Sequence, residues 1–231
     1  MENLEKVENN ADDSMLYGLI KKIAMSPEET KKMVALMKAN VKKSNPSSTD
    51  KAINQHVANS IVKKYCRLSS LTGGATALTG VIPGITTVLA AAGGTTADVA
   101  LTMKYQVDMC MCLAENYGYD ITTVDAQNLS FLIAGGATIE NFGSKGVATI
   151  GSKAGVKMVQ TYLKGAALTT IKEIFKKIGI TFTRKALEKM IPFGIGVVVS
   201  SSANYFLTKY VGKQAIKWFN EDLKLREGNK A

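Results

Sequence analysis

Apolar side chains recur along this chain at the three-to-four-residue spacing of helices, and no stretch alternates apolar and polar residues as a half-buried strand does. Leu16 to Ile23 reads as a short first helix. Ser26-Pro27-Glu28-Glu29 starts a second, with a hydroxyl at the N-cap, proline at the first helical position and acids in the first turn; it runs to about Lys42. Ser44 to Asp50 is a loop, and the next helix carries Ile53, Val57, Ile61 and Tyr65 in one stripe. A long helix is expected from about Ala97 to Tyr117, ended by Gly118. A further helix, 122–134, has Thr122 or Thr123 as its cap and Asp125 in its first turn. Beyond it the pattern predicts one basic helix over 157–178, a short one over Thr183–Met190 and a last helix over about 203–224. The class this implies is all-α: a single compact multi-helix bundle with two glycine-rich, charge-free helical hairpin segments.

Those two segments are the strongest departure from the periodic pattern. Leu68 to Ala97 holds no charge across 30 residues, which divide into 8 large apolar, 6 Ala, 6 Gly, 7 Thr, 2 Ser and 1 Pro. A membrane-spanning helix needs about 20 predominantly apolar residues, and here the large side chains are outnumbered. Gly73-Gly74, Pro83-Gly84 and Gly93-Gly94 interrupt any single helix, while small residues suit close backbone approach. The expectation is two short helices, roughly 71–82 and 85–92, folded as a hairpin that is buried by protein or dips into a bilayer. Met190 to Thr208 is a second uncharged run of 19 residues, containing Gly194 and Gly196. Another glycine-rich zone comprises Gly135-Gly136-Ala137-Thr138, a tetrapeptide that also stands at 73–76, with Gly143, Gly146, Gly151 and Gly155.

Charge alters how the periodic helices read. On the long helix, Lys104, Asp108, Met111 and Glu115 share one narrow sector, while the rest is apolar nearly all round, so a central helix with a thin polar edge is expected; Asp98 opens it as a cap. On the last helix, Tyr205, Gly212, Ile216, Phe219 and Leu223 make one face, with Lys209, Lys213, Lys217 and Lys224 beside it. Leu207, Val211 and Trp218 share the far side with Glu221 and Asp222. A lysine ladder beside an aromatic-bearing face fits an interfacial helix, and it also fits the surface helix of any bundle.

The net charge is +10 although the first 14 residues carry five acids and one lysine, so the remainder is more basic still. Such a balance suits nucleic acid, an anionic lipid surface or an acidic protein. Of 29 basic residues only Arg67, Arg184 and Arg226 are arginines, which argues against nucleic acid and for anionic headgroups, where each lysine contributes about 1 kcal/mol. No apolar leader opens the chain, so a location at the cytoplasmic side of a membrane, peripheral or partly embedded, is expected.

Candidate chemistry is sparse. Cys66, Cys110 and Cys112 read as reduced, buried thiols, and Cys110 and Cys112 point about 200° apart on a helix. The single histidine, His56, borders an apolar stripe with no nucleophile or acid tied to it, so no metal or catalytic set is expected. Gly146 to Lys153 has the glycine spacing of a phosphate loop, but Ser152 precedes Lys153 where the motif needs the hydroxyl after the lysine. No cofactor is expected.

The ordered series Thr72-Gly73-Gly74-Ala75-Thr76, Pro83-Gly84, Asp98, Asn116-Tyr117-Gly118-Tyr119-Asp120, Ile178-Gly179-Ile180, Lys189 to Gly196, Asn204-Tyr205 and Ala215-Ile216-Lys217-Trp218-Phe219 resembles the EcsC-type pattern over about residues 55–226. The resemblance implies an all-α, membrane-associated protein without established catalytic residues. It divides the chain into an acidic N-terminus with peripheral helices, 1–50, and an EcsC-like helical domain, 51–231. Ser200-Ser201-Ser202 is more polar than the family's small-residue run at that place.

The function expected first is non-enzymatic: an accessory or lipid-contacting module at the cytoplasmic membrane face, partnered by an anionic membrane surface or a membrane protein complex. Alternatives are a membrane-perforating, toxin-like bundle, or a binder of a lipidic ligand in a pocket rich in methionine (Met103, Met109, Met111). An enzyme would need a paired-carboxylate or nucleophile–base set that the chain does not display.

Overall fold

A computed structural model describes residues 15–71, 94–142, 149–181 and 199–228. Among them are eight helices and no strand: α1 (Met15–Ile23), α2 (Pro27–Ser44), α3 (Asp50–Ser70), α4 (Gly94–Asn116), α5 (Val124–Asn141), α6 (Lys153–Gly165), α7 (Ala167–Thr181) and α8 (Val199–Gly228). The hairpin expected over 71–92, the helix over Thr183–Met190, and Gly73, Gly74, Pro83, Gly84, Gly93, Gly194 and Gly196 lie outside the described residues.

Local chemistry explains most helix boundaries. Ser26 and Glu29 form a capping box at α2, with Pro27 at its first position. Thr49, Thr123 and Ser152 cap α3, α5 and α6 through their side-chain oxygens, which settles the choice between Thr122 and Thr123 in favour of Thr123. Gly118, at φ 84°, takes the left-handed conformation that stops α4.

Three helices differ from expectation. Helix α5 continues through Gly135-Gly136 to Asn141, because neighbours fill the space those glycines leave. The single helix expected over 157–178 is two helices, α6 and α7. They are broken at Ala166, whose φ −136° and ψ 25° leave the helical region as its N–H closes on the Tyr162 carbonyl. Helix α8 begins at Val199, inside the second charge-free run, and extends to Gly228.

Helix α4 is the axis. Residues 101–114 are buried on every side, and it packs against α1, α2, α3, α5 and α8. Helices α3 and α4 run antiparallel, since the Asn54 carbonyl accepts from the Asn116 amide at 2.9 Å while Tyr65 lies beside Tyr105. Helix α8 runs with α4, as Gln106 meets Thr208 and Tyr117 meets Asn220. Hence the C-terminus of α3 and the N-termini of α4 and α8 share one end of the bundle. The C-termini of α4 and α8 and the N-terminus of α3 share the other.

Candidate functional site

The basic ladder of α8 is exposed at Lys209, Lys213, Lys217 and Lys224. Lys224 is paired with Glu221 at 3.3 Å, and Lys209 lies over the Tyr205 ring at 5.8 Å. Lys209, Lys213 and Lys217 have no acidic partner among the described residues, and α8 contains no acid from Val199 to Asn220. Phe206 stands in the same angular sector as Lys213, is 64% exposed, and meets Tyr205 edge-on at 5.7 Å. Sequence reasoning passed over Phe206, although its position within the ladder was readable at 100° per residue.

The buried face of α8 lies elsewhere than its apolar pattern suggests. Gly212 and Phe219 are buried, but Tyr205, Ile216 and Leu223 are half-buried flanks. The centre is the side expected to be mixed: Leu207, Val211, Ala215, Trp218 and Asp222. Asp222 is tolerated there because Tyr119, Gln160 and Arg226 contact its carboxylate at 2.6, 2.8 and 2.7 Å. The Arg226 guanidinium also covers the Tyr119 ring at 4.7 Å.

The polar sector of α4 is interior rather than a solvent edge. Lys104 and Asp108 form an ion pair with side chains 6% and 1% exposed. The second Asp108 oxygen accepts the Met25 N–H at 2.8 Å, tying the α1–α2 junction to the axis. Burial pushes the Asp108 carboxyl upward, and the Lys104 charge and the Met25 N–H act against it. Met111, in the same sector, is buried, and Glu115 is partly so; Asp98, expected to cap the helix, lies inside it because α4 begins at Gly94, and it is half-buried with its carboxyl raised by desolvation. Of Asp98, Lys104, Asp108 and Glu115, only Lys104 and Asp108 are joined to each other among the described residues.

A second buried polar chain crosses the bundle. Ser69 accepts from the Thr208 hydroxyl at 2.8 Å, the Gln106 amide reaches Thr208 at 3.4 Å, and Thr138 donates to the Gln106 carbonyl oxygen at 2.8 Å. It links α3, α8, α4 and α5, and no sequence pattern announced it.

The two motif segments richest in aromatics meet. Tyr117 stacks on Phe219 at 5.3 Å and 14°, and Tyr119 meets both Trp218 and Phe219. Their role is a packed lock between the α4–α5 turn and α8. The thiols are buried as expected. Desolvation raises Cys66 to about 11 and Cys112 to about 12 and pushes Cys110 up as well, so they are poor nucleophiles. His56 is exposed.

A cleft of ≈ 240 Å³ opens between α5, α6 and α7, walled by Leu132, Ile139, Ile150, Val159 and Ile174. It lies below the ~300–1,000 Å³ usual for a ligand pocket. Met103, Met109 and Met111, expected along a lipid pocket, are packed in the core and do not line it. Among the described residues no group of three His, Cys, Asp or Glu side chains is arranged to hold a metal. No helix among them is long and apolar enough to cross a membrane. Comparison with family models, curated proteins and solved structures yields no match to this chain.

Proposed function

We propose that this protein is a non-enzymatic helical module that attaches to the cytoplasmic face of a membrane through anionic lipid, either as accessory to a membrane complex or as a lipid-contacting unit itself. The observation that carries this reading is the outer strip of α8. Lys209, Lys213 and Lys217 stand exposed and, among the described residues, without acidic partners, in the sector that also exposes Phe206. Lysine supplies attraction to headgroups, and an aromatic ring beside it supplies an apolar anchor at interface depth. The sequence resemblance to EcsC-type proteins points the same way.

Flotation with vesicles tests the proposal. At low salt the protein is expected to float with vesicles containing phosphatidylglycerol, to stay behind with phosphatidylcholine alone, and to be released by added salt. Replacing Lys209, Lys213 and Lys217 together by Gln removes roughly 3 kcal/mol of attraction, about a hundredfold in partitioning. Equal failure to float with both vesicle types at low salt would overturn it.

A further inference from the structure

We infer that the protein lies side-on against anionic lipid, with α8 as the middle helix of a three-helix flank to which α3 and α6 each add a strip of cations. The inference rests on the membrane reading above and extends its contact surface to two further helices. It begins with what lies on either side of α8. A Cβ on Gly212 would meet Val62 Cγ1 of α3 at 2.7 Å. One on Gly151, just before α6, would meet Gln214 Oε1 at 2.6 Å and Lys217 Cβ at 2.7 Å. The Thr208 hydroxyl donates to Ser69 at 2.8 Å, so α3 runs antiparallel to α8; the Gln160 amide donates to Asp222 at 2.8 Å, so α6 runs with it. Gly212 and Gln214 mark those two sides and stand about 200° apart on the helix, with Lys213 midway between them. Val211 and Ala215 fill the opposite, buried sector. The lysine ladder therefore points outward from the centre of the flank.

Both neighbours present cations on the same outward side. On α3, Lys63 and Arg67 are exposed one turn apart, and Lys63 stands about 100° from Val62 and about 200° from the buried Ile61. On α6, Lys153, Lys157 and Lys164 are exposed within a sector about 40° wide. That sector adjoins Gln160, which reaches α8, and faces away from the buried Gly155, Val156 and Val159. Residues 51–71, 149–165 and 199–220 contain neither Asp nor Glu. The carboxylates around them are occupied or distant. Glu140 accepts from the Tyr210 hydroxyl at 2.6 Å and the Ile150 N–H at 2.8 Å, Glu221 pairs with Lys224, and Asp222 pairs with Arg226. Asp50 is exposed at the start of α3, about 20 Å along the helix from Lys63. Packed helices lie about 8–10 Å apart, so the three strips spread charge over an area instead of a line. A plane of anionic headgroups meets such an array all at once.

Vesicles of phosphatidylglycerol and phosphatidylcholine test the flank with three double variants, each lacking two positive charges. At low salt, Lys63→Gln with Arg67→Gln is expected to lower partitioning about tenfold or more, and Lys153→Gln with Lys157→Gln likewise. Lys21→Gln with Lys22→Gln, on α1, which packs on α4 and α7, changes it less than about threefold. Circular dichroism checks that each variant stays folded. An environment-sensitive label is placed in turn at Asn59→Cys, Lys157→Cys and Lys22→Cys, the native thiols being buried. A blue shift on the vesicles at positions 59 and 157 but not 22 supports the inference. Wild-type flotation with equal losses in all three double variants, with no loss in the α3 and α6 variants, or with a blue shift at position 22, overturns the flank and leaves attachment through α8 standing. Wild-type protein that does not float at all overturns both.

Discussion

At the scale of single residues, burial converts ordinary surface chemistry into structural chemistry. Lys104 and Asp108 are an i,i+4 pair worth a few tenths of a kcal/mol on a solvated helix, yet here both lie in the core with the Met25 N–H as third member. Asp108→Asn leaves a buried ammonium without its counter-charge and is expected to cost about 3–5 kcal/mol in urea unfolding. The double variant Lys104→Met, Asp108→Leu removes both charges and should cost far less, the remaining loss being the Met25 N–H acceptor, about 1 kcal/mol. Asp120 shows the opposite case, an exposed carboxyl held down to about 2 by hydrogen bonds from Thr122 and Lys31. Its folded-state value lies below the ordinary carboxylate value of about 3.9, so its contribution is present above pH ~4 and is lost as pH falls toward about 2. Thermal melts of wild type and Asp120→Ala should differ near neutrality and converge toward the acid end of that window. The expected apolar face of α8 and its observed one differ for a residue-level reason. Asp222 and Glu221 made the far side look mixed, but Asp222 acquires Tyr119 and Gln160 from distant segments and can be buried.

At the scale of elements, capping residues were legible and glycines were not. Ser26, Thr49, Thr123 and Ser152 act within three residues of themselves, so their role is local and the chain displays it. A glycine pair looks like a helix stop in sequence, but Gly135 and Gly136 sit inside α5, where α7 and the turn before α6 press on them. A Cβ on Gly135 would meet Ile174 Cγ2 at 2.5 Å, and one on Gly136 would meet Ile150 Cδ1 at 2.5 Å. Two substitutions of the same kind should therefore differ in sign. Gly18→Ala, with nothing within 4 Å of the new Cβ, is expected to stabilise α1 by up to about 1 kcal/mol through helix propensity. Gly135→Ala has the same propensity gain but overpacks against α7, at about 1–3 kcal/mol, and should lower the melting temperature. Calorimetry on the two variants checks both signs.

At the scale of the whole molecule, the last helix turns an aromatic lock inward and its unpaired lysines outward, so core packing and the candidate lipid contacts occupy different sides of α8. Trp218, the single tryptophan, is fully buried beside Tyr119 and Phe219, on the inner side of α8. Its emission is expected to be that of an indole in an apolar core and to stay unshifted when anionic vesicles are added; a large shift on binding would point to rearrangement of the bundle. From the sequence alone came the helical class, most helix starts, the buried thiols, the centrality of α4 and the basic strip of α8. These depend on spacing, capping and composition, which act over a few residues. The tertiary structure decided which side of α8 is buried, that the polar sector of α4 is interior, that Gly135 and Gly136 are contact points, and that the described ends of two distant uncharged runs lie together. Each of those is a relation between segments far apart in the chain, fixed by which surfaces pack once the helices meet, and no local period records it.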